Sequence, residues 1–240
     1  MRRWNSQPRC GTLYHRMGRI LKGYETRFRW LLQRVRARRL DQGVQWLVNK
    51  ARKLSTEEHT PLSSGLTRVY EELADRPLFR AANPRPKPDR FFCDAGLGGL
   101  ARWLRGAGYE AAWKAGIDDD DLLRRARETG ATILTTDSML MERRLLRDRI
   151  IPSLWLPPTL SIAGQLRLVF REFDLQPGVP RCMSCGGELA HGDKEALRER
   201  IPPKTYRWLD EYFVCRECGR LFWHGTHWTR IVKALGALKG

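Results

Sequence analysis

The sequence predicts an α/β protein in three parts. A mostly parallel sheet flanked by helices is expected over 90–176, a four-cysteine zinc module with a tail over 177–240, and a basic, helical or partly disordered extension with a linker over 1–89. Three observations carry that prediction. From Arg90 onward apolar strands alternate with amphipathic helices, the order that builds a parallel sheet with helices on its faces. Two Cys-x-x-Cys pairs, Cys182/Cys185 and Cys215/Cys218, stand near the end of the chain. The net charge of +17 is concentrated early: residues 1–90 hold 21 Lys+Arg against 8 Asp+Glu, and residues 91–240 hold 23 against 19.

The extension begins without an acidic residue through position 24, while Arg2, Arg3, Arg9, Arg16, Arg19 and Lys22 are basic. A nucleic-acid arm, a transit peptide and an over-long reading frame all fit that composition. Phe28, Leu31, Leu32 and Val35, then Val44, Leu47, Val48 and Ala51, recur at helical spacing. Arg34, Arg36, Arg38 and Arg39 form a basic run between them, and Gly43 is expected to break the helix. Ser63-Ser64-Gly65 reads as a loop, and Asn83-Pro84-Arg85-Pro86-Lys87-Pro88 as an extended linker at the domain boundary.

Past the linker, Arg90-Phe91-Phe92-Cys93 is a short buried strand that runs into Asp94. A helix follows with Leu97, Leu100, Ala101 and Leu104 on one face, closed by Gly108. Tyr109 to Trp113 is a second strand. Asp118-Asp119-Asp120-Asp121 opens another helix, where carboxylates suit the N-terminal end, and Gly130 stops it. Ala131-Thr132-Ile133-Leu134-Thr135 is a third strand and ends before Asp137. In a later helix Ala163, Leu166, Phe170 and Phe173 face inward, with Gln165 and Arg167 outward.

The cysteines permit two readings, two disulfides or one metal site. With no secretory signature the sequence favours a structural Zn²⁺ held by Cys182, Cys185, Cys215 and Cys218. Four thiolates close a tetrahedral shell, and Gly186 and Gly219 follow the second cysteines where a knuckle needs positive φ. A closed site does no catalysis, so the chemistry lies elsewhere. Stripping the zinc is expected to unfold 182–228 while sparing the α/β part.

Ligands of a parallel sheet collect at the carboxyl ends of its strands. Asp94 and Asp137 follow strands there, and the Asp118–Asp121 run begins a helix at that end. Converging carboxylates would hold Mg²⁺ or Mn²⁺, hard ions that activate water against a phosphodiester. The plainer reading, that these aspartates cap helices and form turns, stands beside it.

The stretch Phe92-Cys93-Asp94-Ala95-Gly96-Leu97-Gly98-Gly99-Leu100-Ala101-Arg102-Trp103-Leu104-Arg105-Gly106-Ala107-Gly108-Tyr109 resembles the opening of the Mut-seven C-terminal ribonuclease domain, a PIN-like family. Asp119-Asp120-Asp121-Leu122-Leu123 and Ile133-Leu134-Thr135-Thr136-Asp137 continue the likeness. The segment from Cys182 through Ile201-Pro202-Pro203 to Cys218 and Trp223-His224-Gly225-Thr226-His227-Trp228 looks like the zinc ribbon that follows in that family. The resemblance spans about residues 90–231. It implies a PIN-like fold that cleaves RNA with Mg²⁺ or Mn²⁺ on Asp94, Asp119 and Asp137. It departs at Thr136, where the family usually has arginine, and in lacking an obvious fourth acid, since Met139 and Leu140 follow.

Arg102 and Arg105, on the polar side of the first helix, are candidate phosphate contacts or simply solvated. Trp223 is expected to cover the ribbon's core, and Trp228 is left open between core and base stacking. The sequence thus points to a metal-dependent ribonuclease whose RNA is held by basic helices and ribbon. The alternatives are a non-catalytic RNA- or ribosome-binding protein and a toxin-like nuclease. No apolar run approaches a membrane span, so a cytoplasmic protein is expected, with organellar targeting by the basic N-terminus left open.

Overall fold

The computed structural model describes residues 10–81 and 86–225, with 229, 233 and 236. Arg2, Arg3 and Arg9, linker residues Asn83 to Arg85, and Thr226, His227 and Trp228 lie outside the described residues. The chain divides into two compact units. One holds the N-terminal helices together with 137–139 and 157–159; the other holds 84–136, 140–156 and 160–240.

In the first unit α1 (Cys10–Arg34), α2 (Leu40–Glu57) and α3 (Leu62–Ala74) pack together, with a short α4 (Pro77–Ala81) after them. Buried Tyr24, Phe28 and Leu31 of α1 meet Val44, Leu47, Val48 and Ala51 of α2 and Leu66, Val69 and Tyr70 of α3. These are the i, i+3, i+4, i+7 positions that put apolar side chains on one helical stripe. The Tyr24 hydroxyl lies 2.7 Å from Thr67 Oγ1, and Arg27 Nε donates to Tyr70 Oη at 2.9 Å, two buried polar contacts made across helices.

Two glycines behave differently from the sequence expectation. Gly43 sits inside α2, and the break comes earlier, where Arg36 takes a left-handed φ of 55°. Gly65 sits inside α3 rather than in a loop, and a Cβ there would collide with Ser55 and the Ala51 carbonyl of α2. A helix interior tolerates glycine's entropy cost where it lets two backbones approach.

The second unit contains a four-stranded parallel sheet in the order β2-β1-β3-β4, from β1 (Arg90–Cys93), β2 (Glu110–Trp113), β3 (Thr132–Thr135) and β4 (Ser153–Trp155). The three-residue β4 escaped the sequence reading, because Ile151-Pro152-Ser153-Leu154-Trp155 is too short to show a period. Helices α5 (Gly98–Gly106), α6 (Asp119–Thr129), α7 (Arg144–Arg147) and α8 (Ile162–Phe173) complete this part.

Successive residues of a strand face opposite sides, and β1 divides the core accordingly. Phe92 packs with Leu122, Leu123 and Ala126 of α6 and with Ile133, Leu140, Leu146 and Ile151. Phe91 turns the other way, 5.8 Å ring to ring from Phe173 of α8 and 6.0 Å from Tyr109. Gln165 is buried on α8, against the expectation that it faces outward.

The same unit carries a three-stranded antiparallel sheet, β5 (Leu189–Gly192), β6 (Tyr212–Cys215) and β7 (Leu221–Trp223), with α9 (Pro203–Trp208) between β5 and β6. Leu197, Ile201 and Tyr212 are its small core, and Trp223 packs against them. So small a core needs help from a staple. The clustered cysteines at one end of this sheet are consistent with a zinc ribbon.

Candidate active site and metal centre

Each knuckle is built the same way. The Gly186 amide donates to the Cys182 carbonyl at 2.8 Å and the Gly219 amide to the Cys215 carbonyl at 2.9 Å. Both glycines have positive φ, 92° and 68°, which a side chain would strain. The amides of Cys185 and Cys218 point at the sulfurs of Cys182 and Cys215, each at 3.5 Å. The turns thereby bring four sulfurs within 4.8 Å of one another, with Cys182–Cys218 at 3.7 Å and Cys185–Cys215 at 3.4 Å. Sulfurs about 2.3 Å from a tetrahedral zinc lie about 3.8 Å apart, so the set could hold a metal such as zinc. Burial pushes the Cys185 thiol up to about 12. Burial also raises Cys215, but the amides of Cys218 and Glu217 outweigh it and leave that thiol lowered to about 7.

At the parallel sheet, order 2-1-3-4 makes the gap between β1 and β3 the point where the chain reverses direction across the sheet, and ligand crevices of open α/β sheets form at such points. Asp94 stands at its carboxyl end. Its side chain accepts from the Gly96 amide at 3.0 Å, from the Thr136 amide at 3.2 Å and from the Thr135 hydroxyl, so one carboxylate spans the ends of both strands. Thr135 is fully buried, and nothing in its sequence context marked it as Asp94's partner. The loop after Asp94 is held from β2, where Trp113 Nε1 donates to the Ala95 carbonyl at 3.0 Å. Gly98 is required there, since a Cβ would sit 2.7 Å from the Trp113 ring.

Asp137 lies two residues beyond β3 and accepts the Met139 amide at 2.7 Å, an Asx turn. The four-aspartate run is sorted by the helix it opens. Asp118 is the N-cap of α6 and accepts the Asp121 amide at 2.8 Å. Asp120 pairs with Arg143, while Asp121 pairs with Arg124, Arg125 and Lys114. The Arg125 and Arg124 guanidiniums hold the Asp121 carboxyl below its ordinary range. Asp119 is the first residue of α6. Among the described residues the four cysteines are a group of ligand atoms close enough to share one ion, whereas Asp94, Asp119 and Asp137 form no such group.

The two arginines of α5 part company. Arg102 is exposed. Arg105, expected on the polar side as a phosphate contact, is buried, because strand β2 and the first knuckle close over it. Its Nε donates to the Ala111 carbonyl of β2 at 2.7 Å, and one terminal nitrogen donates to the carbonyls of Ser184 at 2.7 Å and Met183 at 3.3 Å. Its own carbonyl accepts the Arg181 amide at 2.9 Å, and Arg181 Nε donates to Gly186. Burial lowers its pKa from the ordinary arginine value, yet a guanidinium stays charged. A helix wheel could not reveal this, since the two knuckle carbonyls lie 78 and 79 residues away.

A match to the Mut7-C RNAse domain covers residues 89–235. The chain belongs to the Mut7-C RNAse domain family. The match takes in the parallel sheet, Asp94, Asp119, Asp137 and all four knuckle cysteines, and it leaves the N-terminal helices α1 to α4 outside. Among curated proteins and solved structures, no match to the chain is found. Membership in the Mut7-C RNAse family points to a nuclease-type, RNA-related function. No described helix is long and apolar enough to cross a membrane.

Proposed function

We propose that this protein is a metal-dependent ribonuclease whose nuclease part spans 90–176 and whose zinc ribbon and tail span 177–240. One observation carries the reading: Asp94 sits at the switch point of a parallel sheet in a chain of a ribonuclease-domain family. Three hydrogen bonds hold its carboxylate in one orientation, a requirement for a ligand that must meet an ion in fixed geometry. Asp137 directly follows Thr136, whose amide contacts Asp94, and Asp119 is the member of its run at the first position of α6. These three acids would hold Mg²⁺ or Mn²⁺. A bound ion of that kind would lower the pKa of a coordinated water and offset charge on the phosphodiester. Arg102, exposed on α5, would contact backbone phosphate, and the basic helices and ribbon would retain RNA. The Cys₄ set holds a structural Zn²⁺.

The test is cleavage of labelled RNA across a Mg²⁺ and Mn²⁺ titration, with Asp94→Asn and Asp137→Asn beside wild type. Metal-dependent cleavage that both substitutions abolish supports the reading. Equal cleavage by Asp94→Asn refutes it. A second reading, a non-catalytic RNA- or ribosome-binding protein, is favoured by the three intramolecular donors already on Asp94. It would be selected by wild-type protein that binds RNA and cleaves with neither metal.

A further inference from the structure

The N-terminal helices α1 to α4 lie outside the family match, and their charge is one-sided. Over residues 10–57, spanning α1 and α2, there are 12 Lys+Arg against 3 Asp+Glu; over 58–81 there are 3 against 4. The basic excess lies in α1 (6 against 1) and in the connector 35–39 (3 against 0), which ends at Arg39 beside α2, while α2 itself holds 3 against 2. On α2 the buried stripe is Val44, Leu47, Val48, Ala51 and Ser55. Trp46 projects from the opposite side and is 64% exposed.

At 3.6 residues per turn, Trp46 shares its stripe with Gln42 and Gly43 on one side, beyond which lies the N-cap residue Arg39, and with Asn49, Lys50 and Lys53 on the other. Arg39 and Lys53 are each seven residues away, about 10 Å along the axis. Lys50 reaches Glu72 at 2.6 Å and Lys53 reaches Glu57 at 3.8 Å, while Arg39 is exposed. The α2 side chains on this stripe are polar or charged, and the apolar neighbour beside it is the half-buried Leu32 side chain of α1, which lies over Gly43. A protein-docking site needs an apolar patch around its aromatic anchor. A single indole face among cations and amides suits a nucleobase, which stacks on the ring while its phosphates meet the flanking charges. Duplex RNA keeps its bases stacked on each other and offers no free face.

We infer that the outer face of α2 is a single-stranded RNA-binding surface, with Trp46 as the stacking platform and Arg39 and Lys53 as phosphate contacts. This deepens the ribonuclease reading by naming a strand type and a surface beyond the nuclease sheet, and it rests on RNA being the ligand.

The experiment measures direct binding of full-length protein to a labelled oligouridine and to an RNA duplex, without added Mg²⁺ or Mn²⁺ and in the Asp94→Asn background. A failure of catalysis then leaves binding readable. Trp46→Ala should weaken oligouridine binding about tenfold to a hundredfold and duplex binding less than about twofold, while Trp46→Phe keeps most affinity. Arg39→Gln should reduce the slope of log affinity against log salt by about 0.7. An exposed side chain contributes little to folding, so the unfolding midpoint of Trp46→Ala should match its parent. Unchanged oligouridine affinity in Trp46→Ala overturns the inference. So does equal loss on both RNAs, or a change in sedimentation that shows Trp46 joins two copies of the chain.

Discussion

Replacing Arg105 by methionine asks whether knuckle and sheet stand or fall together. The substitution keeps an unbranched apolar stem and removes the donors to Ala111, Ser184 and Met183. A hydrogen bond from a charged group nets about 1.5–3 kcal/mol, and the 3.3 Å contact to Met183 adds little. Two strong bonds lost, less some relief from no longer burying a charge, come to about 3–5 kcal/mol. For a unit of roughly 150 residues that lowers Tm by about 6–20 °C, a large part of a total stability of about 5–15 kcal/mol. Arg105→Lys should fall between, because an ammonium reaches fewer of these carbonyls at once.

The assay is thermal and urea unfolding of the full chain by far-ultraviolet circular dichroism, with zinc content measured alongside. Zinc removal from wild type should also lower the midpoint of the parallel sheet, because Met183 and Ser184 lie between the first two cysteine ligands. This revises the expectation from sequence that the α/β part is spared. A midpoint within about 2 °C of wild type for Arg105→Met would show that the guanidinium ties nothing together.

Further outcomes follow from other contacts. Asp119→Asn should abolish RNA cleavage, whereas Asp120→Asn, which breaks only the exposed pair with Arg143, should leave cleavage intact and cost under about 1 kcal/mol; rate and urea midpoint check both. Zinc affinity, read by chelator competition, should rise with pH. Burial keeps the Cys185 thiol protonated up to about 12 in the metal-free site, so binding must release that proton, and affinity gains about tenfold per pH unit for each proton released. Gly98→Ala should destabilise by about 1–3 kcal/mol, since its Cβ meets the Trp113 ring at 2.7 Å, and calorimetry would register it.

Strand β1, helix α6 and both knuckles were legible because their signals are local: a short apolar run, a capped helix closed by Gly130 with φ of 66°, and Cys-x-x-Cys-Gly turns that need positive φ. Gly43 and Gly65 misled for the same reason. Chain-local rules read glycine as punctuation, while its actual use was helix-to-helix approach.

Composition, motif spacing and periodicity by themselves determined the α/β class, the parallel order of elements, the two cysteine knuckles and the basic start of the chain. Each depends on residues within a few turns of one another. Strand order 2-1-3-4, the Thr135 and Thr136 contacts that orient Asp94, and the inward turn of Arg105 were decided only by tertiary packing. Those depend on which distant backbone groups must find hydrogen-bond partners once water is excluded, and spacing along the chain carries no record of that.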